Sequence, residues 1–484
     1  MQIDLQLPMT IDRIEYAQIK YGSLPYRREG NMYWIDFGDR EFKEGSEHTL
    51  IVHYSGTPRE AIRAPWDGGW VWAKDSLKRD WITVACQGLG ASVWYPCKDY
   101  QADEPDNGAS LAITVPDSLV AVGNGRLLKK TTGANKTNTW TWEVKNPINN
   151  YNIIPYIGHY VNWEEKIAGE NGPLDASYWV LDYNLERSKT HFERDVKRMF
   201  ACFENWFGPY PFYEDSYKMI ETPHLGMEHQ SAVAYGNQFR DGYLGSDLSG
   251  SGWGTKWDYI IVHETGHEWF ANNVTTRDIA DMWVHEGFTT YSEVLFVECN
   301  YGKTAADEYC QGLRANIENN GTIIGPYGVN HEGSGDMYFK GANLLHTIRQ
   351  VINNDAKFKA ILRGLNKEFY HKVTSSREVE DYIIKQSGKN LSKIFDQYLR
   401  NTQIPGLEYK LAAIPGNSSS FNLQFRWTNV IEGFNMPLKI VVNGKEQWIS
   451  PTDKLQTIKL TGKMPSEILA DRNFYVLVSN LQEQ

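Results

Sequence analysis

Two periodicities divide the chain. From residue 1 to about 182, apolar and polar positions alternate in short runs, among them Tyr33-Trp34-Ile35-Asp36-Phe37, Thr49-Leu50-Ile51-Val52-His53-Tyr54 and Ser110-Leu111-Ala112-Ile113-Thr114-Val115. Turns containing Gly, Asn and Pro separate these runs, and Asn138 to Val144 reads as one more strand. At about Leu185 the repeat lengthens to that of an amphipathic helix, which runs to Phe207 and stops at Gly208-Pro209. Helical patterns then dominate to about residue 400: Ala305 to Asn319, Gly341 to Asn353, Ser376 to Gln386 and Leu391 to Arg400. The exceptions are Lys218 to Thr222, which reads as an edge strand, and Asp241 to Thr255, a Gly/Ser-rich loop with five glycines. After Ile404-Pro405-Gly406 the alternation returns, and Asn443-Gly444 between two apolar runs is a hairpin signal. The expected fold is multidomain α+β. A β domain would occupy 1–182, a mainly helical domain 183–402, and a small β domain 403–484.

Composition narrows the function classes. With 484 residues, 41% apolar and 13% aromatic, the chain can fill more than one packed interior. A net charge of −11 supplies no basic stripe for phosphates, which argues against a nucleic-acid partner and mildly favours cationic ligands. There is no apolar run of about 18 residues, so no membrane span is expected. The N-terminus has no basic segment followed by an apolar one, so no signal peptide is visible, and the compartment stays open. The five cysteines, Cys86, Cys97, Cys202, Cys299 and Cys310, read as buried small hydrophobes, with a Cys299–Cys310 bridge left open.

The chemistry concentrates in His263-Glu264-Thr265-Gly266-His267 and in Glu286, nineteen residues after the second histidine. Helical residues four apart share a face, so two imidazoles can aim at one point. That spacing is the H-E-x-x-H arrangement for zinc, and Glu286 can complete a His, His, Glu set with a fourth position left for water. Glu264 sits off the ligand row, placed to act as general base and then acid. Asp281 and Glu293 are candidates to hold the imidazole tautomers, with a helix cap and a solvated face as their plain alternatives. Gly266 inside the helix suggests close packing, or is merely tolerated.

With these residues in view, the chain resembles the gluzincin aminopeptidases of peptidase family M1, the group of aminopeptidase N and the leukotriene-epoxide hydrolase. The resemblance rests on His263 to His267 with Glu286, on Gly226-Met227-Glu228-His229, on Tyr338-Phe339-Lys340-Gly341-Ala342, and on Trp94-Tyr95-Pro96-Cys97-Lys98-Asp99. It implies a saddle-like N-terminal β domain, a thermolysin-like catalytic domain holding one zinc ion, and a C-terminal β-sandwich. It also implies that Glu228, with Gly226 and Met227 in its motif, takes the substrate's α-ammonium together with Gln87, and that Tyr338 donates to the oxyanion. His229 stands where the family motif usually has Asn. The β domain reads as lacking its first strands, and the family's large helical domain does not follow the small β domain.

The implied function is a zinc aminopeptidase acting as a monomer on peptides with a free N-terminus. A zinc endopeptidase would need no amine anchor. A non-catalytic scaffold would be expected to have lost Glu264, a zinc ligand or Tyr338, and all are present.

Overall fold

The computed structural model describes residues 1–18 and 22–481. The chain forms two compact units, Met1–Lys197 with Tyr210–Phe239, and Arg198–Pro209 with Arg240–Gln484.

The first unit is built on strands, and the alternation of the sequence becomes alternation of burial along them. Ala109–Pro116 pairs antiparallel with Thr137–Val144 over its whole length, Ala109 facing Val144 and Pro116 facing Thr137. Inward residues Trp142, Val84, Ala121, Ile154 and Tyr156 meet in one core, while Leu5, Ile14 and Tyr33 belong to a smaller one. A five-stranded sheet runs in the order Tyr160–Gly169, Gly172–Leu181, Tyr217–Glu221, Val233–Tyr235, Gly226–Met227. Tyr217–Glu221 is therefore its central strand, parallel to both neighbours, and not the edge strand its sequence suggested. Its Lys218 and Glu221 survive burial because each has partners. The Lys218 ammonium donates to the Gly125 carbonyl, and the Glu221 carboxylate accepts from the Leu181 amide at 2.8 Å and from Asn184 at 2.7 Å.

Helix α1, Leu185–Phe207, has the bounds its amphipathic pattern predicted. In the second unit α2 spans Tyr259–Gly266, α3 Trp283–Tyr301, α4 Lys303–Gly312 and α5 Phe339–Ile352. They are followed by α6, Asp355–Glu368, α7, Ser376–Ser387, and α8, Ser392–Leu399. Helix α6 is absent from the sequence reading, although Phe358, Ile361, Leu362 and Leu365 form a helical stripe and all are buried. After α8, two sheets pair Gly406–Ile414 with Asn417–Thr428 and Leu438–Val442 with Lys445–Ile449. The second pair turns at Asn443 and Gly444, both at positive φ (50° and 73°), as the hairpin signal requires.

Two cysteines are not the simple buried hydrophobes expected of them. Cys202 on α1 is bridged to Cys299 on α3, while Cys86, Cys97 and Cys310 are free, so the Cys299–Cys310 pairing does not form. A sequence separation of 97 conceals this pairing in the sequence. Among the described residues, no helix is long and apolar enough to cross a membrane.

Candidate metal centre

Helix α2 is only eight residues long, too short to be stable alone, and exists because it is capped and buried. The Asp258 carboxylate accepts from the Ile260 amide at 3.0 Å and the Ile261 amide at 3.4 Å, and every residue of the helix is buried. Its geometry brings His263 and His267 to one face, where α3 meets them with Glu286. Glu286 Oε2 lies 3.5 Å from His263 Nε2 and 3.3 Å from His267 Nε2.

The outer nitrogens decide the tautomers. His263 Nδ1 lies 2.7 Å from Glu293 Oε1, and the other oxygen of Glu293 accepts from the Tyr309 hydroxyl at 2.7 Å. Beyond His267 the helical path is broken at Phe270 (φ −127°) and Ala271 (φ 149°), and the Phe270 carbonyl lies 3.0 Å from His267 Nδ1. A carboxylate and a carbonyl can only accept, so both rings carry their proton on Nδ1 and present an Nε2 lone pair. Three acceptors thus converge, and the buried Glu286 Oε2 has no well-formed hydrogen bond among the described residues. A divalent cation satisfies all three at once, and the donor set fits one. With protons alone, burial works against the charged His263 ring. The Glu286 and Glu293 carboxylates outweigh that and hold it well above the ordinary imidazole value.

Glu264 is buried on α2 between the two histidines. Burial, and then the negative charge of Glu264, raise the phenol of Tyr243 in the glycine-rich loop. Tyr338, just before α5, lies nearly parallel to the His263 ring with centroids 6.1 Å apart. His285 is turned away, its Nε2 accepting from the Thr276 amide at 2.9 Å, and burial drives its pKa down to about 3. Asp281 holds no imidazole, contrary to the sequence expectation. Its oxygens accept from the Tyr327 hydroxyl at 2.6 Å and the Ser376 amide at 3.0 Å, fastening a loop and the start of α7.

In the first unit, Gly226 and Met227 form a short strand beside Val233–Tyr235, with Met227 packed into the main core. Glu228 follows it, buried. Gln87 donates to Glu228 Oε1 at 2.6 Å across 141 residues of sequence, and the Tyr151 hydroxyl donates to the same oxygen at 2.8 Å. These two structural groups, one in each unit, hold the candidate metal, catalytic and amine-binding residues, while Asp281 lies in neither.

Residues 192–398 match the peptidase family M1 domain. That segment belongs to peptidase family M1. Similar curated proteins include the endoplasmic reticulum aminopeptidase 1 of Homo sapiens, 24% identical over 70% of this chain and 36% of that protein. Aminopeptidase B of Homo sapiens is 26% identical over 69% of this chain and 49% of its own length. The chain spans about a third to a half of the length of these relatives. Among solved structures, an M1 zinc metallopeptidase from Deinococcus radiodurans has a TM-score of 0.68 at 20% identity, covering 82% of this chain and 85% of that one. Legionella pneumophila aminopeptidase A in complex with aspartic acid reaches 0.77 at 15% identity, over 99% of this chain and 55% of its own. At these identities the likeness establishes the M1 fold.

The sequence missed Tyr309, the Phe270 carbonyl and Tyr151. A main-chain carbonyl leaves no mark in side-chain patterns, and a tyrosine on a distant element carries no spacing signal. Only the three-dimensional neighbours reveal them.

Proposed function

We propose that the chain is a zinc-dependent aminopeptidase that removes the first residue of peptides with a free N-terminus. The observation that carries this reading is the convergence of His263 and His267, each with Nδ1 against an acceptor, on a buried, unsatisfied carboxylate oxygen beside Glu264. It is supported by the M1 segment and by the aminopeptidases and zinc metallopeptidases it resembles.

His263, His267 and Glu286 would hold the ion, which when bound lowers the pKa of a coordinated water to about 7 and polarises the scissile carbonyl. Glu264 accepts the proton that the attacking water loses as its oxygen bonds to the carbonyl carbon. It then delivers that proton to the departing nitrogen as the peptide C–N bond breaks. Glu293 keeps His263 in the tautomer that leaves Nε2 unprotonated, and the Phe270 carbonyl does the same for His267. The Tyr338 hydroxyl is assigned to donate to the carbonyl oxygen as negative charge grows on it. Glu228 and Gln87 are assigned to the substrate's ammonium. A fixed carboxylate at that point admits a chain end and leaves an acylated or internal residue without its partner.

The test is the hydrolysis of aminoacyl anilides, each compared with its N-acetylated twin, on zinc-loaded protein. Cleavage of the free form alone is expected. Equal cleavage of both would make the protein an endopeptidase and remove Glu228 from its role, and zinc uptake without turnover of any peptide would leave a binding scaffold.

A further inference from the structure

A carboxylate that recognises an ammonium is useful only if its oxygens point one way. The last torsion of a glutamate is broad and roughly two-fold, so the rotamer well alone leaves that direction loose. Here two donors are gathered on a single oxygen, Gln87 Nε2 at 2.6 Å and the Tyr151 hydroxyl at 2.8 Å. With Oε1 held twice, the plane of the carboxylate and the direction of Oε2 are set. Tyr151 is itself buried and fixed, its amide donating to the Asn149 side chain at 3.3 Å.

The backbone that carries Glu228 is fastened just as closely. The Tyr156 hydroxyl donates its one proton to the Ala232 carbonyl at 2.8 Å, so the 2.5 Å contact between its oxygen and His229 Nδ1 requires the proton to be on the ring nitrogen. Burial, reinforced by the neighbouring His224, keeps His229 neutral, which agrees with that tautomer. Asn124 ties down the next residue, donating to the Gln230 carbonyl at 2.7 Å while accepting from the Ile154 amide at 3.0 Å. Ser231 accepts from the Gly125 amide at 2.9 Å. Successive residues 228 to 231 are therefore each held by 87, 124–125 or 151–156.

We propose that Tyr151 is a positioning residue for the Glu228 carboxylate, and that Tyr156, acting through His229, locks the segment bearing it. This rests on the assignment of Glu228 to the substrate's amine. The pair would tune how tightly a free N-terminus is taken, without touching the step of bond cleavage.

The experiment compares wild type, Tyr151→Phe and Tyr156→Phe, each zinc-loaded, on an alanyl anilide and its N-acetylated twin. Losing one hydrogen bond to a charged group is expected to raise KM for the free-amine substrate about tenfold in Tyr151→Phe, with kcat within about twofold. Tyr156→Phe should shift KM in the same direction by a smaller factor, and zinc content and circular dichroism should match wild type. Unchanged KM in both variants, or a fall in kcat at constant KM, would overturn the proposal. Should Tyr151→Phe fold poorly, Tyr151→Met is measured in its place with the same expected rise in KM, while Tyr156→Phe decides only the locking of the segment, since it leaves both donors on Glu228 in place. Wild-type cleavage of both twins would instead overturn the amine-anchor assignment itself, whatever the variants do.

Discussion

The His263 ring stands between two carboxylates of one helix, hydrogen-bonded through Nδ1 to Glu293 at 2.7 Å while its Nε2 faces Glu286 at 3.5 Å. Glu286 and Glu293 are seven residues apart, two helical turns, which is what lets them bracket a single imidazole. Their tasks differ, and substitution should separate them. Glu293→Gln keeps the shape but weakens the acceptor and frees the tautomer. Zinc affinity is expected to fall about 10- to 100-fold, read by competition with a chelator, while activity recovers at high zinc. Glu264→Gln removes only the base. It should retain stoichiometric zinc and lose kcat by about 10²- to 10⁴-fold, and a variant that turned over at the wild-type rate would remove Glu264 from proton transfer.

At the scale of elements, the centre depends on how closely α2 lies against α3. A Cβ on Gly266 would come within 2.6 Å of Ser292 Oγ and 3.1 Å of Thr289 Cγ2, so a side chain there must displace Ser292 and the glycine serves close packing. Gly266→Ala should destabilise the fold by about 1–3 kcal/mol through overpacking, despite the roughly 1 kcal/mol that alanine gains in helix propensity. Adding Ser292→Gly should recover part of that loss in urea unfolding, and failure to recover any would mean the crossing is not what limits the site. A second close approach joins α3 to α5, where a Cβ on Gly341 would stand 3.0 Å from the Gly287 Cα. The Cys202–Cys299 bridge anchors the far end of α3 to α1. Opening it in the Cys202→Ser/Cys299→Ser variant should cost about 3–5 kcal/mol, by loop entropy over 97 residues, with a matching drop in Tm on reduction of wild type.

For the molecule as a whole, buried titratable groups outside the metal centre set the response to acid. Burial depresses His224 to about 4 and His346 to about 3, whereas the unfolded chain titrates these groups near 6.5. As pH falls below about 6.5 the unfolded state takes up protons that the folded state refuses, so their stability is full above 6.5 and is lost toward 4. Glu221 works the other way. Burial raises it to about 7, so the folded state holds a proton that the unfolded state releases above about 4.5, and stability is gained as pH falls through that window. His224→Gln or His346→Gln should each flatten the decline of unfolding free energy between pH 6.5 and 4, by up to about 1.4 kcal/mol per pH unit, and Glu221→Gln should steepen it. Parallel curves for all three in urea titrations at pH 7, 6 and 5 would contradict the assignment of these groups.

What the sequence determined by itself is local. Alternation specifies Ala109–Pro116 and Thr137–Val144, a helical stripe specifies α1 to the residue, and spacings of four and seven place His263 with His267 and Glu286 with Glu293. Such signals are legible because a strand or a helix repeats within a few residues. What only the tertiary structure decided is where distant elements meet. Tyr217–Glu221 is central because chain segments on both sides fold around it, and Lys218 and Glu221 find their partners there. Asp281 turned to Tyr327 and Ser376, Cys202 found Cys299, and the Phe270 carbonyl reached His267 only because the backbone breaks beyond α2. Tyr151 meets Glu228 across 77 residues for the same reason. Hydrogen bonds and close packing act over a few ångströms of space, and no periodicity along the chain encodes which remote residues will share them.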